Sequence, residues 1–379
     1  MPSPKGPSKG LAKLRADLTK TYGDRVSRRD TMTRPTFIST GSITLDYAMG
    51  GGFALGRTHE IVGPEGMGKT TLLNLTIANA QRQFPDRAAA IIDMEQAYDF
   101  EWAVKLGVDI SEERFFHLYP NDSEDVSDQI AMLLRSGEVV VVGVDSIGGM
   151  ESRAAFEKKA EESAMGKNAQ VISRMVKRVA GLAREHNAAP IFINQYRANI
   201  GSPRGGEKPA GPSALKYNTT TQLKMSRTSE PTKKVSITDA VSKAPAELEV
   251  SRQLRVKVAR NKLAPQGRVA DFWLKNVATD QYGPVGIDRA DEALALGIAT
   301  GAIERLTSVT YRMPDGTVVK GGRPSVEAVI AERPELVEQV REKALASISG
   351  DIKADHTVSY DDVPEGVNTT TGEILEDAA

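Results

Sequence analysis

The amino-acid sequence predicts an α/β fold with a mostly parallel sheet, and three observations support that prediction. From about residue 36, short apolar segments alternate with amphipathic helical segments, as in a sheet that helices cover on both faces. Residues 139–144 read VVVVGV, which is typical of a strand buried within a parallel sheet. A glycine-rich segment at 63–68 separates an apolar strand at 59–62 from an amphipathic helix at 70–84. The core is therefore expected to consist of strand–helix units.

The predicted elements divide the chain into four parts. They are an N-terminal arm with one helix, a large core, a small α+β domain and a disordered acidic tail, at residues 1–36, 37–286, 287–352 and 353–379. The helix of the first part, predicted over 8–23, is too short to hold a hydrophobic core of its own. It is therefore expected to pack on the body or on a neighbouring subunit.

Hydrophobic periodicity predicts the remaining elements. In the core, these are strands at 88–92, 139–144 and 190–193, a helix at 171–185, and strand-like alternation at 254–275 and 284–287. In the α+β domain, they are helices at 289–296 and 325–346 around a hairpin at Asp315-Gly316, a pair favoured in tight turns. Residues 201–213 are rich in glycine and proline, and no helix or strand is predicted there. Such a loop inside a domain is usually functional or disordered.

Composition excludes several classes of protein. The chain has no cysteine and four scattered histidines, which excludes disulfide scaffolds and cysteine zinc sites and agrees with a reducing cytosol. No apolar run is long enough to cross a bilayer, and the first residues lack the apolar region of a signal peptide, so no membrane partner is expected. Residues 354–379 contain seven Asp or Glu and no Lys or Arg, as in either a solubilising or a regulatory tail.

The glycine-rich segment has the pattern G-x-x-x-x-G-K-[ST]. Its glycines allow the backbone to wrap round phosphate oxygens, and the helix that follows adds the positive end of its dipole. Lys69 can reach the terminal phosphates of ATP, and the Thr70 hydroxyl can ligate Mg²⁺. The predicted nucleotide-binding residues of the loop are Gly63, Pro64, Glu65, Gly66, Met67, Gly68, Lys69, Thr70 and Thr71.

Two carboxylates follow apolar strands further along the chain. Asp145 directly follows the strand at 139–144, where it is expected to hold the hydration shell of Mg²⁺ beside the loop. Glu95 follows the strand at 88–92. Because ligands bind at the carboxyl ends of strands in α/β sheets, Glu95 can polarise the water that attacks the γ-phosphate. From its position alone, Glu95 is equally consistent with an exposed loop carboxylate.

In these and other segments the chain resembles the bacterial RecA recombinases, over most of its length. The matching segments are residues 37–46, the loop at 63–71, IDMEQAYD at 92–99, KLGVD at 105–109, VDS at 144–146, FINQ at 192–195 with Arg197, ALKY at 214–217 and RNK at 260–262. The loop itself departs from the family, because Gly66 and Met67 stand where two serines are usual. The resemblance implies a P-loop NTPase core of the RecA type, in a protein of bacterial or phage origin.

The resemblance also implies roles at the nucleotide. Glu95 would activate the hydrolytic water, and Gln195 would sense the γ-phosphate and couple it to DNA. Asp99 and Trp102 would contact the adenine, with Trp102 in place of the usual Tyr, and Tyr282 would be a second packing aromatic.

Arg260 and Lys262 match positions that reach the nucleotide of the adjacent subunit in the family. Two cations there would stabilise transition-state charge across an interface, as an arginine finger does. Without the resemblance, two surface charges at a strand end would be the simpler interpretation.

Two DNA-binding loops are implied as well, at about 156–168 and 197–213. The residues expected to contact DNA are Met165, Gly166, Ser173, Lys177, Arg197, Ile200, Arg204, Lys208 and Gly211. Cations on a glycine- and proline-rich backbone neutralise phosphates without reading sequence. In the second loop Ser202-Pro203-Arg204 replaces the family's apolar and aromatic run, so the spacing or stability of the DNA complex is expected to differ. The alternative is a disordered loop with no role in DNA binding.

The predicted function is therefore ATP-dependent polymerisation into a helical filament on single-stranded DNA, followed by pairing with homologous duplex and strand exchange. Two alternatives remain open. One is a RecA-fold helicase or filament ATPase without homologous pairing, and the other is a regulatory filament that triggers repressor cleavage in an SOS response. A small-molecule kinase fits less well, because no lid or acceptor pocket is visible in the sequence.

Overall fold

The computed structural model describes residues 9–23, 35–150, 163–198, 207–238, 244–280 and 283–349. The chain forms two compact units, Met1–Thr36 and Phe37–Ala379. In the first unit the predicted helix is confirmed as α1 (Lys9–Tyr22), which exposes Leu11 and Leu14. Among the described helices, none is both long and apolar enough to span a bilayer.

The core of the second unit alternates strands and helices. Its first half contains β1 (Phe37–Ile38), α2 (Ile43–Met49), β2 (Phe53–Ala54), β3 (His59–Val62), α3 (Lys69–Gln83), β4 (Ala88–Asp93), α4 (Phe100–Lys105), β5 (Phe115–Leu118), α5 (Ser123–Ser136) and β6 (Val139–Asp145). Its second half contains α6 (Ser163–Glu185), β7 (Ala189–Asn194), β8 (Tyr196–Ala198), β9 (Glu207–Pro209), α7 (Ser213–Asn218), β10 (Thr221–Arg227), β11 (Lys233–Thr238), β12 (Pro245–Asn261), β13 (Val269–Lys275) and β14 (Gly286–Ile287).

Within the part of the chain that the structure describes, ten strands form the central sheet in the order β14-β13-β12-β10-β3-β7-β6-β4-β5, with β11 paired to β12. Neighbours from β10 to β5 run parallel. The strands beyond β10 extend this sheet in antiparallel pairs. The prediction of an α/β fold with a mostly parallel sheet is thus confirmed.

An apolar core lies on each face of the parallel strands. Ile91 and Ile92 are neighbours in β4, and successive strand residues point to opposite faces of a sheet. Ile91 belongs to a core with Leu73 of α3, whereas Ile92 belongs to a core with Ile130 of α5 and Val176 of α6. Both faces are covered, which explains why these strands are apolar throughout rather than alternating.

The C-terminal part of the second unit is an α+β region with its own apolar core. It contains α8 (Arg289–Thr300), β15 (Glu304–Arg305), β16 (Thr310–Arg312), β17 (Val318–Lys320), α9 (Arg323–Glu332) and α10 (Glu335–Ser349). Ile43 of α2 packs into this core. Buried Glu292 of α8 accepts hydrogen bonds from the Ser42 hydroxyl and from the backbone N–H groups of Ile43 and Thr44, both at 3.2 Å. The start of α2 is therefore tied to α8 by a carboxylate.

Two predictions about secondary structure were wrong. The helix predicted at 325–346 is two helices, α9 and α10, separated at Arg333-Pro334. Pro334 supplies no N–H and disfavours helical backbone at the residue before it. The segment 201–213, predicted to lack regular structure, contains β9, and α7 begins at Ser213. β9 pairs with β8, and a partner strand is not visible in local periodicity.

Candidate nucleotide site

The loop between β3 and α3 has the geometry of an anion-binding loop. β3 lies inside the parallel part of the sheet, between β10 and β7. Gly66 and Gly68 have φ angles of 69° and 78°, which residues with a side chain rarely adopt. A Cβ atom on Gly63 would lie 2.9 Å from the Met225 carbonyl oxygen. Because α3 begins at Lys69, the free N–H groups of its first turn lie beside the loop.

Lys69 is held inside this loop. Its side chain is buried, and Nζ donates hydrogen bonds to the carbonyl oxygens of Gly63 at 3.0 Å and Pro64 at 2.6 Å. Burial lowers the pKa of Lys69 below its ordinary value, while the charge of Asp145 acts in the opposite direction. Phosphate oxygens are stronger acceptors for an ammonium than neutral carbonyls, so a bound phosphate can draw Nζ away from them.

Thr70 and Asp145 bring two oxygen donors together. The Thr70 hydroxyl donates to Asp145 Oδ2 over 2.6 Å. Burial raises the pKa of Asp145, and the hydrogen bond from Thr70 partly offsets that rise. Mg²⁺ prefers oxygen ligands and binds through one or two protein groups with several waters. The donor set therefore fits a hydrated Mg²⁺ ion beside the loop.

Glu95 faces the same cavity. Its Oε1 accepts hydrogen bonds from the Ser146 hydroxyl at 2.8 Å and from Gln195 Nε2 at 3.2 Å. The peptide bond between Asp145 and Ser146 is cis. The cavity is lined by Glu65, Gly66, Met67, Gly68, Lys69, Thr70, Thr71, Asp93, Glu95, Ala97, Tyr98, Asp145 and Gln195. The predicted general base Glu95, the glycine-rich loop with Lys69, and the predicted Mg²⁺ donors Thr70 and Asp145 thus share one cavity.

Sequence reasoning missed Asp93, which shapes the turn that carries Glu95. Asp93 is buried and accepts hydrogen bonds from the backbone N–H groups of Glu95 at 3.1 Å and Tyr98 at 3.0 Å. His117 Nε2 lies 3.3 Å from its Oδ2. Tyr98 also donates to Asn74 Oδ1 at 2.9 Å, and burial raises the pKa of its phenol. The available signal was the position of Asp93 at the end of an apolar strand.

Asp99 and Trp102 lie at the edge of this site. The Asp99 carboxylate accepts a hydrogen bond from the Trp102 backbone N–H at 2.9 Å and so caps α4. The Trp102 indole donates to Thr71 Oγ1 at 3.1 Å, which places the ring against the first turn of α3. Tyr282, the other predicted nucleotide-packing aromatic, lies outside the described residues.

Gln195 connects the cavity to the base of the second predicted DNA loop. Its backbone carbonyl accepts a hydrogen bond from Ala210 N at 2.8 Å. The adjacent Asn194 side chain donates to Ala210 O at 2.9 Å and to buried Glu60 at 2.8 Å. Gln222 Nε2 donates to the other Glu60 oxygen at 2.7 Å. Sequence reasoning missed Glu60 and the bridging role of Asn194, because their partners are distant along the chain.

Arg260 and Lys262 are not part of this cavity. The Arg260 guanidinium donates to the Lys216 carbonyl, and Lys262 Nζ donates to the Tyr217 carbonyl at 2.8 Å. Burial lowers the pKa of Lys262, and neighbouring Arg260 lowers it further. Strand register places both cations near His59, the first residue of β3. They therefore lie near the N-terminal end of β3, whereas the phosphate loop follows its C-terminal end.

The predicted DNA-binding residues are only partly described. α6 begins at Ser163, earlier than the predicted start at 171, so Met165 and Gly166 lie in a helix rather than a loop. Ser173 donates to the Ala169 carbonyl at 2.6 Å, and Lys177 is exposed on the same helix. Five further positions belong to the second predicted loop. Arg197 lies in β8, Lys208 lies in β9, and Gly211 has a φ of 79°. Ile200 and Arg204 lie outside the described residues.

Comparison with known proteins shows which family this chain resembles. Residues 13–277 match the family model of the RecA N-terminal domain. The chain is 34% identical over 321 residues to Protein RecA of Azospirillum lipoferum, covering 84% of this chain and 82% of that protein. It is 32% identical over 349 residues to Protein RecA of Cytophaga hutchinsonii, covering 90% and 91%. Among solved structures, it is similar to the RadB recombinase, with a TM-score of 0.46 and 24% identity over 63% of this chain and 96% of that one.

Proposed function

The chain belongs to the RecA family, and from this membership we propose that it is an ATP-dependent DNA recombinase. It forms a helical filament on single-stranded DNA, pairs that strand with homologous duplex and exchanges strands during recombination and repair. The observation that carries the proposal is the chain of contacts from Glu95 through Gln195 to Ala210. It runs from the proposed hydrolytic centre to the proposed DNA-binding loop, and such a connection supports coupling between ATP and DNA.

Hydrolysis of ATP uses the residues that line the cavity. Lys69 and the N–H groups of the loop bind the phosphates and neutralise charge that develops on them. Thr70 and Asp145 would hold Mg²⁺, which would supply further positive charge to the phosphates. Glu95 accepts a proton from the attacking water as the bond to the γ-phosphorus forms. Departure of the cleaved phosphate then removes the group that Gln195 senses.

The filament completes the site from two subunits in this proposal. Arg260 and Lys262 do not line the cavity of their own subunit. They match family positions that reach the nucleotide of the adjacent subunit, and in the proposed filament they act there. Asp99, Trp102 and Tyr282 hold the adenine. The nucleotide then bridges two subunits and also supplies free energy by hydrolysis. Its hydrolysis weakens both the subunit interface and the binding of DNA.

DNA binding is assigned to the two loops and the helix after the first. Its residues are those named from the sequence: Met165, Gly166, Ser173, Lys177, Arg197, Ile200, Arg204, Lys208 and Gly211. Cations of the set neutralise backbone phosphates, which gives affinity without sequence preference and with strong dependence on salt.

A strand-exchange assay between a circular single strand and a homologous linear duplex tests the function. Joint molecules that need both ATP and homology are the expected result. DNA-stimulated ATP hydrolysis without joint molecules would instead indicate a RecA-fold ATPase that does not pair homologous DNA. Repressor cleavage without joint molecules would indicate a regulatory filament.

A further inference from the structure

Arg252 of β12 lies against the crest of the phosphate loop. Its Nη1 donates a hydrogen bond to the Gly66 carbonyl oxygen at 3.1 Å. Gly66 has a positive φ, and a Cβ atom built there would meet no atom within 4 Å. A side chain at Gly66 would thus have no packing neighbour among the described residues, whereas the Gly66 carbonyl is held by the hydrogen bond from Arg252.

The guanidinium is itself held in place. Arg252 Nε lies 3.2 Å from Glu249 Oε1. With the Asn276 amide turned so that its oxygen faces the guanidinium, that oxygen accepts from Nη2 at 3.0 Å and Nε at 3.1 Å. The planar fork of an arginine, once fixed by such partners, presents its remaining N–H groups in one direction. Here that direction is the loop.

β12 and its neighbour β13 also contact the loop two residues further on, at Gly68. A Cβ atom on Gly68 would lie 3.1 Å from the Leu274 side chain and 3.5 Å from the Leu254 side chain. β12 and β13 thus form a platform, apolar beneath Gly68 and cationic beside Gly66. The loop rests on this platform as well as on its own strand and helix.

We infer that Arg252 is a positioning residue of the nucleotide site, which holds the loop crest in its phosphate-binding conformation before the nucleotide arrives. The inference rests on the proposed binding of ATP to this loop. A glycine-rich segment loses much conformational freedom when it is ordered, and a loop that is ordered in advance avoids that cost on binding. Loss of Arg252 therefore weakens the binding of the ground state and the transition state equally, which raises KM and leaves kcat unchanged.

Arg255 offers a matched control on the same strand. It forms an exposed ion pair with Asp271 of β13, with Nη2 and Oδ2 2.6 Å apart, and so resembles Arg252 in residue type and strand. The phosphate loop is not among its partners in the described structure. Arg255→Gln therefore removes an arginine and an ion pair from β12 without removing the contact to Gly66.

The experiment compares full-length wild type, Arg252→Gln and Arg255→Gln. Calorimetric titration with ADP in the absence of DNA gives affinity, and steady-state hydrolysis with single-stranded DNA gives KM and kcat. Arg252→Gln is expected to weaken ADP binding about tenfold, in the range of one lost charged hydrogen bond, with a matching rise in KM and kcat within about twofold. Arg255→Gln is expected to bind ADP as wild type does.

Unchanged ADP affinity in Arg252→Gln would overturn the inference. A fall in kcat with unchanged KM would also overturn it, because Arg252 would then act only in the transition state. If Arg252→Gln fails to fold, Glu249→Gln replaces it, with a smaller loss of ADP affinity expected and unchanged affinity counting against the inference. Wild type that binds ADP but fails strand exchange would refute the proposed function and leave the inference standing.

Discussion

The side-chain amide of Gln195 donates a hydrogen bond to the Glu95 carboxylate over 3.2 Å. The backbone carbonyl of the same glutamine accepts a hydrogen bond from Ala210, which follows β9 near the end of the second predicted DNA loop. One residue thus contacts both the proposed general base and the proposed DNA-binding segment, and we expect a change at either end to affect the other.

Replacing Gln195 with Ala is expected to uncouple ATP hydrolysis from DNA binding. ATP affinity should stay within about threefold of wild type, because the loop and Lys69 remain, while stimulation of hydrolysis by single-stranded DNA should fall at least about tenfold. Hydrolysis rates with and without DNA measure this. Gln83→Ala, at the exposed far end of α3, is the control. Normal stimulation in Gln195→Ala would show that coupling runs elsewhere.

Replacing Lys69 with Ala is expected to abolish hydrolysis and to weaken ATP binding by about 2 kcal/mol, since a charged hydrogen-bond donor to the phosphates is lost. Binding is measured with a fluorescent ATP analogue and turnover by phosphate release. Lys320→Ala, which changes an exposed lysine of β17, should behave as wild type. Normal turnover in Lys69→Ala would refute the site.

Replacing Glu95 with Gln is expected to slow hydrolysis about 100-fold or more, because an amide cannot accept the proton from water. An amide oxygen can still accept hydrogen bonds from Ser146 and Gln195, so ATP affinity should be preserved. Single-turnover hydrolysis and equilibrium binding separate the two effects, with Glu101→Gln at an exposed position of α4 as the control. Equal loss of binding and hydrolysis would indicate a structural carboxylate.

Burial raises the pKa of Glu292 to about 7, from an ordinary value of 4.5. A carboxyl group whose pKa is raised by folding stabilises the folded state at low pH. That contribution is complete below the unfolded pKa of 4.5 and is lost as pH rises through about 7. As pH rises through this window, the thermal unfolding midpoint of Glu292→Gln is therefore expected to fall less than that of wild type.

Unfolding curves of wild type and Glu292→Gln at about pH 5, 6, 7 and 8 measure the effect, which is expected to amount to about 1–3 kcal/mol across the window. Glu327→Gln removes a carboxylate that pairs with Arg323 on the surface of the same region and should leave the pH dependence unchanged. Parallel curves for Glu292→Gln and wild type would contradict the assignment.

Removing the tail after Lys353 is expected to strengthen the binding of duplex DNA, most at low salt, because seven acidic residues no longer compete with phosphates for basic surface. The tail lies outside the described residues. Salt titrations of full-length and truncated chains measure the effect, and a tail of equal length with amides in place of the acidic residues separates charge from bulk. If the titration curves of the full-length and truncated chains coincide, the tail has no effect on DNA binding and serves only for solubility.

Most of the fold and the nucleotide loop could be predicted because their signals are local. The strands around Ile91 and Val142 are apolar throughout since both faces are covered, and the sequence alone shows that pattern. The loop is recognisable because Gly63 and Gly68 stand at a fixed spacing directly before Lys69 and Thr70. The helix predicted across Pro334 was wrong although its signal was also local, because the apolar periodicity continues through a residue that supplies no backbone N–H.

By itself, the sequence determined the α/β class, the phosphate loop, and the carboxylates Asp145 and Glu95 at strand ends. Only the tertiary structure decided which distant residues meet at the loop. Arg252 and Gly66 are 186 positions apart, and Asn194 and Glu60 are 134 apart. Periodicity reports which face of an element is buried, but it carries no information on strand order. Strand order, which brings β12 and β7 beside the phosphate loop, arises only when the whole sheet packs.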